Sequence, residues 1–356
     1  MTPIEQNPRI PWIDTAKGWA IALVVFGHVI IDLHNAKLLS GAMFDALIYV
    51  IYTIHMPLFV FLAGFCARHR LDSPQRFARK IGTDILWPYA MWTAVFIAAQ
   101  SMLAGVRSTN VSVPLDISVL WTPTAWLWFF AALIVFHGLA LVLRRHLWAL
   151  LAIGALIAPL DLIGLPLFPQ QLCHFLIFYA AGICLKDIPM VRPLPTAAVA
   201  LGLSLMAWQS GEGYWTLIAT PAAIAWILAA VAAAKQVPAS LSSELGKRSC
   251  AIYTTHLFFA VGLRIVLTKI FGVTAIAALM PAMMFVSIAG PIAFIVLVRN
   301  FGLNWLFRLG PSGDSLKGAG RFGSSSTNLR GDNRASHPGS ANAVVVVARR
   351  QGLVTD

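Results

Sequence analysis

Apolar runs about as long as a bilayer is thick recur from one end of this chain to the other. An α-helix rises about 1.5 Å per residue, so roughly 17–25 apolar residues cross the hydrocarbon core. Within that core a backbone must satisfy its own N–H and C=O groups, and a helix does so inside a single segment. Ten runs are expected to span, near 13–35, 42–67, 85–105, 126–143, 147–165, 170–186, 193–210, 215–235, 250–272 and 276–298. Of the 356 residues 58% are hydrophobic and only 11% charged, too little charge for the surface of a soluble domain. The chain reads as all-α, a polytopic integral membrane protein of about ten transmembrane helices.

A net charge of +12 would point to nucleic acid in a soluble chain. In a membrane protein the question is which loops carry it. With the N-terminus inside, the inner loops hold Arg68, Arg70, Arg76, Arg79, Lys80, Arg144, Arg145, Lys186, Arg192, Lys235, Lys247 and Arg248. The outer loops hold Lys37, Arg107 and Lys269. That bias puts the N-terminus in the cytoplasm, and an even span count returns the C-terminus there. The first run lacks an A-x-A cleavage site and is expected to stay as a helix.

The transmembrane domain is expected over 1–309, and residues 310–356 as a disordered cytoplasmic tail, rich in Gly and Ser and poor in large apolar groups. VVVV at 344–347 is too short to span. Trp12, Trp87, Trp121, Trp126 and Trp305 fall near span ends, where interfacial aromatics sit. Cys66, Cys173, Cys184 and Cys250 lack C-x-x-C spacing and read as buried free thiols.

Two ionisable residues stand out in the first run, KGWAIALVVFGHVI at 17–30. At about 100° per residue, the eleven steps from Lys17 to His28 return to one face, roughly 16 Å apart along the axis. Asp14 and Asp32 lie within about 40° of that stripe. Ionisable groups at membrane depth usually face a bundle interior or a wet cavity. Lys17 has a plainer reading as a snorkelling interfacial lysine, and His28 as a histidine packed between helices. Asp32, at i+4, can orient the His28 imidazole or simply be solvated at the outer mouth.

IDTAKGWAIALVVFGH resembles the first-helix signature of the membrane acyltransferase 3 family, O-acyltransferases of bacterial polysaccharides, lipopolysaccharide and glucans. YTIHMPLFVFLAGFCARHR (52–70) is similar to the family's H-M-P-L-F stretch and its cytoplasmic arginines. ARKIGTDILWPY (78–89), WLWFFAALIVFH (126–137) and GKRSCAIYTTHLF (246–258) resemble three further family segments, so the likeness runs over about 9–300. Many members carry arginine where this chain has Lys17. The K-G form resembles the fucose 4-O-acetylase-like, polysaccharide O-acetyltransferase branch. Lysine offers phosphate a cation without a bidentate fork.

The resemblance implies transfer of an acyl group, acetyl first, from cytoplasmic acetyl-CoA to a hydroxyl of an envelope glycan in the bacterial inner membrane. Acyl transfer needs a base for the hydroxyl proton, and histidine titrates near working pH. His28, helped by Asp32, takes the catalytic role in this reading. Lys17, Asp14, His55, Arg68, Arg70 and His256 take substrate-binding roles, with the basic residues receiving the donor's phosphates. Arg68 and Arg70 are equally well explained by loop topology, and His55 and His256 by helix packing. His137 and His174 read as structural, and Glu212, Tyr214 and Trp215 as an ordinary outer loop.

No metal site is expected, since His and Cys are not grouped at ligand spacings. The nucleic-acid class is set aside. No G-x-S-x-G elbow occurs, so direct transfer without an acyl-serine is preferred. A glycan or lipid-carrier transporter, its polar stripe lining a conduit, is the alternative. The lack of internal repeats weighs against it.

Overall fold

The computed structural model describes residues 10–102, 123, 125–238 and 241–309. Arg107, Trp121 and the expected tail at 310–356 lie outside the described residues. Among the described residues the regular structure is all helical: α1 (Pro11–Asn35), α2 (Ala42–Arg68), α3 (Pro74–Ile81), α4 (Trp87–Met102), α5 (Trp128–Val142), α6 (Leu147–Ile157), α7 (Leu167–Cys184), α8 (Pro193–Gln209), α9 (Thr220–Gln236), α10 (Leu241–Lys247), α11 (Ser249–Ile265) and α12 (Ile276–Asn300). Prolines open several helices, where a missing N–H costs no intrahelical bond: Pro11, Pro74 and Pro193 sit at first-turn positions.

Each of the ten expected runs contains a helix, but among the described residues seven helices are long and apolar enough to cross a membrane. They cover 11–35, 42–68, 74–99, 167–184, 217–236, 249–270 and 276–300. The stretches at 128–142 and 147–160 are shorter apolar helices, and α8 ends after 17 residues. The third span begins near 74 rather than 85, because a π-helical turn over Gly82–Leu86 joins α3 to α4 without a break. Sequence reading passed over α10, a helix of seven residues with the charged Glu244 and Lys247, which no hydropathy window would pick out.

α1 and α2 form the interior: 56% and 72% of their apolar windows are buried, against 22% for α12. α1 is packed by α2, α9, α10, α11 and α12, and α2 by α5, α7, α8 and α9. Large apolar side chains left outside, among them Met43, Val142, Leu156, Met206 and Phe285, suit a lipid-facing exterior. The thiols are free, but only half-buried at Cys66, Cys173 and Cys184, and Cys250 is exposed. Burial of all four, expected from their apolar flanks, is therefore not seen. Those flanks include lipid-facing as well as inward positions.

Several helix crossings bring backbone onto backbone, which requires residues without a side chain. A Cβ on Gly64 of α2 would meet the Tyr179 carbonyl of α7, and one on Gly182 of α7 would meet the Phe61 carbonyl of α2. The same device seats α10 on α1, where Gly18 abuts Ser242 and Gly246 abuts the Asp14 carbonyl. α10 is fastened further by Glu244, which accepts from Lys247 at 2.6 Å and Arg248 at 2.7 Å. These two bonds hold its carboxyl below the usual carboxylate range. Pro57 lies within α2, which is helical on both sides of it. Thr53 Oγ1 donates back to the Tyr49 carbonyl at 2.6 Å in this stretch.

Overpacking a close crossing costs about 1–3 kcal/mol. Gly182→Ala is therefore expected to lower the thermal midpoint in detergent, while Gly138→Ala, whose Cβ would meet nothing within 4 Å, leaves it unchanged or raised.

Candidate functional site

The polar stripe of α1 lies in the seam between α2 and α11. At its lower end Lys17 Nζ is 3.9 Å from Cys66 Sγ of α2 and interacts electrostatically with Cys250 in the first turn of α11. Eleven residues on, His28 Nδ1 is 2.7 Å from His256 Nε2 of α11, and its ring lies edge-on to Tyr52 of α2 at 6.5 Å. The register explains the meeting: α2 runs against α1, bringing Tyr52 level with His28 and Cys66 level with Lys17. α11 runs alongside α1, and Asp32, four residues past His28, meets the long side chain of Arg264, eight residues past His256.

The two imidazoles are nearly parallel, 9° apart, with centroids 5.0 Å apart. That separation is about the N···N distance plus two ring radii, so the rings lie end to end as a lone-pair hydrogen bond requires. Protons can then be placed from the acceptors. His256 Nδ1 is 2.9 Å from both the Ile252 and Tyr253 carbonyls, which can only accept, so Nδ1 carries the hydrogen. Neutral His256 therefore presents a lone pair at Nε2, and His28 must donate to it from Nδ1. Neutral His28 is left with an unprotonated Nε2. His256 is fully buried and His28 only partly so.

Asp32 does not perform the expected orienting task in this arrangement. Its Oδ2 accepts from Arg264 Nε at 2.6 Å, each side chain 12% exposed, while the bond at His28 Nδ1 goes to His256. The pair ties the C-terminal end of α1 to α11, immediately before a π-helical turn at Val266–Ile270. Arg264 is a site residue that sequence reading missed. An arginine inside the expected span 250–272 was the available signal, since a charge at that depth needs a partner.

His55 is buried and donates from Nδ1 to the Ile51 carbonyl of its own helix at 2.6 Å, with its ring 4.6 Å from Tyr52. Arg68 donates to the Cys184 carbonyl at 3.0 Å and the Ile183 carbonyl at 3.5 Å, capping the end of α7. Arg70 is exposed and shares the charged surroundings of Lys80 with Arg76 and Arg308, offset only by Asp84. Asp14 is half-buried below Lys17, its carbonyl under α10. His137 and His174 are buried among Phe77 and Tyr179, and Phe175 and Phe178, respectively.

Aromatic rings surround the histidine pair. Tyr52 touches Tyr214 at 4.8 Å and Trp215 at 5.8 Å, and Trp215 packs on Trp128 and Phe175. Tyr214 and Trp215 of the 210–215 loop are thus folded onto the site, while Ser210, Gly211, Glu212 and Gly213 are exposed. Trp126, expected at the interface, is buried instead, with its ring 6.5 Å from His256. Among the described residues no group of His, Cys, Asp and Glu could hold a metal ion.

Removing one partner of a largely buried ion pair costs about 3 kcal/mol. Asp32→Asn and Arg264→Met are each expected to destabilise by about that amount, and the double variant by less than their sum. A double-mutant cycle of unfolding midpoints should give a coupling of about 1–3 kcal/mol.

A family model described as an acyltransferase domain matches residues 10–296. Comparison with curated proteins and with solved structures yields no match.

Proposed function

We propose that this chain, which belongs to the acyltransferase 3 family, moves an acetyl group from cytoplasmic acetyl-CoA to a hydroxyl of a cell-envelope carbohydrate. It is a multi-pass membrane acyltransferase. The finer parts of the proposal are the O-acetyl specificity, the CoA donor, the glycan acceptor (an exopolysaccharide, O-antigen or glucan) and the bacterial inner membrane. Ten spans, both termini in the cytoplasm and an accessory tail beyond residue 309 complete it. The basic inner loops support that orientation.

The single observation that carries the reaction is the hydrogen-bond chain from the α11 carbonyls through His256 to His28. It leaves a basic lone pair on His28 Nε2, the nitrogen a general base must offer. The acceptor hydroxyl adds to the thioester carbonyl as its proton passes to Nε2. The resulting imidazolium still donates from Nδ1 to His256, so the relay supports the charged form. When the C–S bond breaks, that proton goes to the departing thiolate, giving the ester and free CoA and restoring neutral His28. In this role His256 is a positioning residue, and Asp32 holds α1 in register through Arg264.

The donor enters from the cytoplasm, with Lys17 and Arg70 facing its phosphates. The roughly 16 Å from Lys17 to His28 suits a pantetheine arm reaching mid-membrane. Arg68 spends its guanidinium on α7 and supports that end indirectly. His55 backs Tyr52, and Asp14 supports Lys17 from the turn below.

The test is incorporation of label from acetyl-CoA into glycan by membranes holding matched amounts of protein. His28→Ala is expected to lose about 10²–10⁴-fold in rate. His256→Phe keeps a ring but removes the acceptor for Nδ1–H, and should lose about tenfold or more in kcat with little change in donor KM. Equal incorporation by wild type and His28→Ala would sink the base assignment, and none by either would favour transport.

A further inference from the structure

Buried polar atoms without partners are rare, because each forfeits its hydration for nothing. One of them borders the histidine pair. Trp126 is 9% exposed and its Nε1 has no acceptor in the described structure. An indole nitrogen is a donor only, so no proton rearrangement can satisfy it.

The ring is tightly held. Phe96 and Phe258 meet it edge-on at 4.8 and 5.9 Å. The Tyr253 phenol donates to the Trp126 carbonyl. Tyr253's own carbonyl accepts from His256 Nδ1 at 2.9 Å. One residue of α11 thus fixes both the tryptophan backbone and the tautomer of the relay. Such rigidity is what a donor aimed at a developing charge requires, since it avoids reorganisation during the reaction.

We propose that the Trp126 indole N–H hydrogen-bonds the acyl carbonyl oxygen of the donor and stabilises the oxyanion formed when the acceptor hydroxyl adds to that carbonyl. The inference rests on His28 acting as base in the same site. As the C–O bond forms, the carbonyl electron pair moves to oxygen and the N–H bond shortens toward it. When the C–S bond breaks, the pair returns and the indole keeps its proton throughout. Trp126 is then a catalytic residue, supplied by the start of the fifth helix rather than by the helices that carry the histidines.

Purified full-length protein in nanodiscs, given labelled acetyl-CoA and envelope glycan, provides the test. Trp126→Phe keeps an aromatic ring and removes the donor. It is expected to lower kcat about 10²–10³-fold with donor KM and thermal midpoint little changed. Trp126→His, which restores a ring N–H, should recover part of the rate. Infrared spectra of isotope-labelled donor carbonyl bound to His28→Ala protein give a second readout, free of turnover. The carbonyl band should lie at lower frequency than in the His28→Ala/Trp126→Phe double variant.

His28→Ala inactive with Trp126→Phe within twofold of wild type would overturn this inference alone. If Trp126→Phe proved too unstable to assay, a carbonyl band in His28→Ala protein at the frequency of the free thioester would do the same. Full activity in His28→Ala, or none in wild type, would remove the base assignment and this inference with it.

Discussion

A polar atom inside a bilayer has no water to fall back on, and that constraint arranges most of this molecule. Asp32 and Arg264, charges far from the first turns of α1 and α11, neutralise each other across the helix seam. The imidazole of His256 is satisfied by carbonyls of its own helix, and in turn satisfies His28. Arg68 takes up the last carbonyls of α7. The indoles of Trp87 and Trp92 donate to the Trp305 and Leu306 carbonyls, at 2.6 and 3.0 Å, where the chain leaves α12. Against that background the unpaired indoles of Trp126 and Trp215, in the aromatic group around the histidines, stand apart from those of Trp87 and Trp92.

For the proposed role of His28 as base, the same constraint explains why a histidine pair suits acyl transfer. A carboxylate behind the base would place a second negative charge in a poorly solvated site, at a large desolvation cost. A second histidine, pinned by backbone carbonyls, fixes the tautomer without adding charge. Asp32 is four residues away from His28 and engaged with Arg264, so it serves the geometry of the helices instead of the electronics of the ring. Glycines at the α1/α10 and α2/α7 crossings contribute to that geometry by letting backbones touch, which holds α1 and α2 at a fixed depth relative to their neighbours.

Much of the fold was legible in the chain itself. Each of the ten expected runs contains a helix, because hydropathy and helix length are local properties that a bilayer converts directly into structure. What escaped was α10, polar and only about two turns long, whose place is decided by Gly246 meeting α1. The site was legible in part. The stripe of Asp14, Lys17, His28 and Asp32 follows from helical angle alone. Arg264 stood in plain sight as an arginine within an apolar run, but its partner lies 232 residues away in sequence. Trp126 looked like an interfacial anchor because its position near a span end is also where buried tryptophans occur, and only packing distinguishes the two.

The sequence by itself determined that the chain is helical, that it belongs in a membrane, and that one face of its first helix carries ionisable groups, since these depend on residues a few positions apart. Only the tertiary structure decided which group each of them meets. It turned His28 to His256 instead of to Asp32, gave Asp32 to Arg264, and brought Tyr52, Tyr214, Trp215 and Trp126 around the imidazoles. Those choices depend on the register between α1, α2 and α11, and register between distant helices is set by close packing summed over the bundle, which no local stretch encodes.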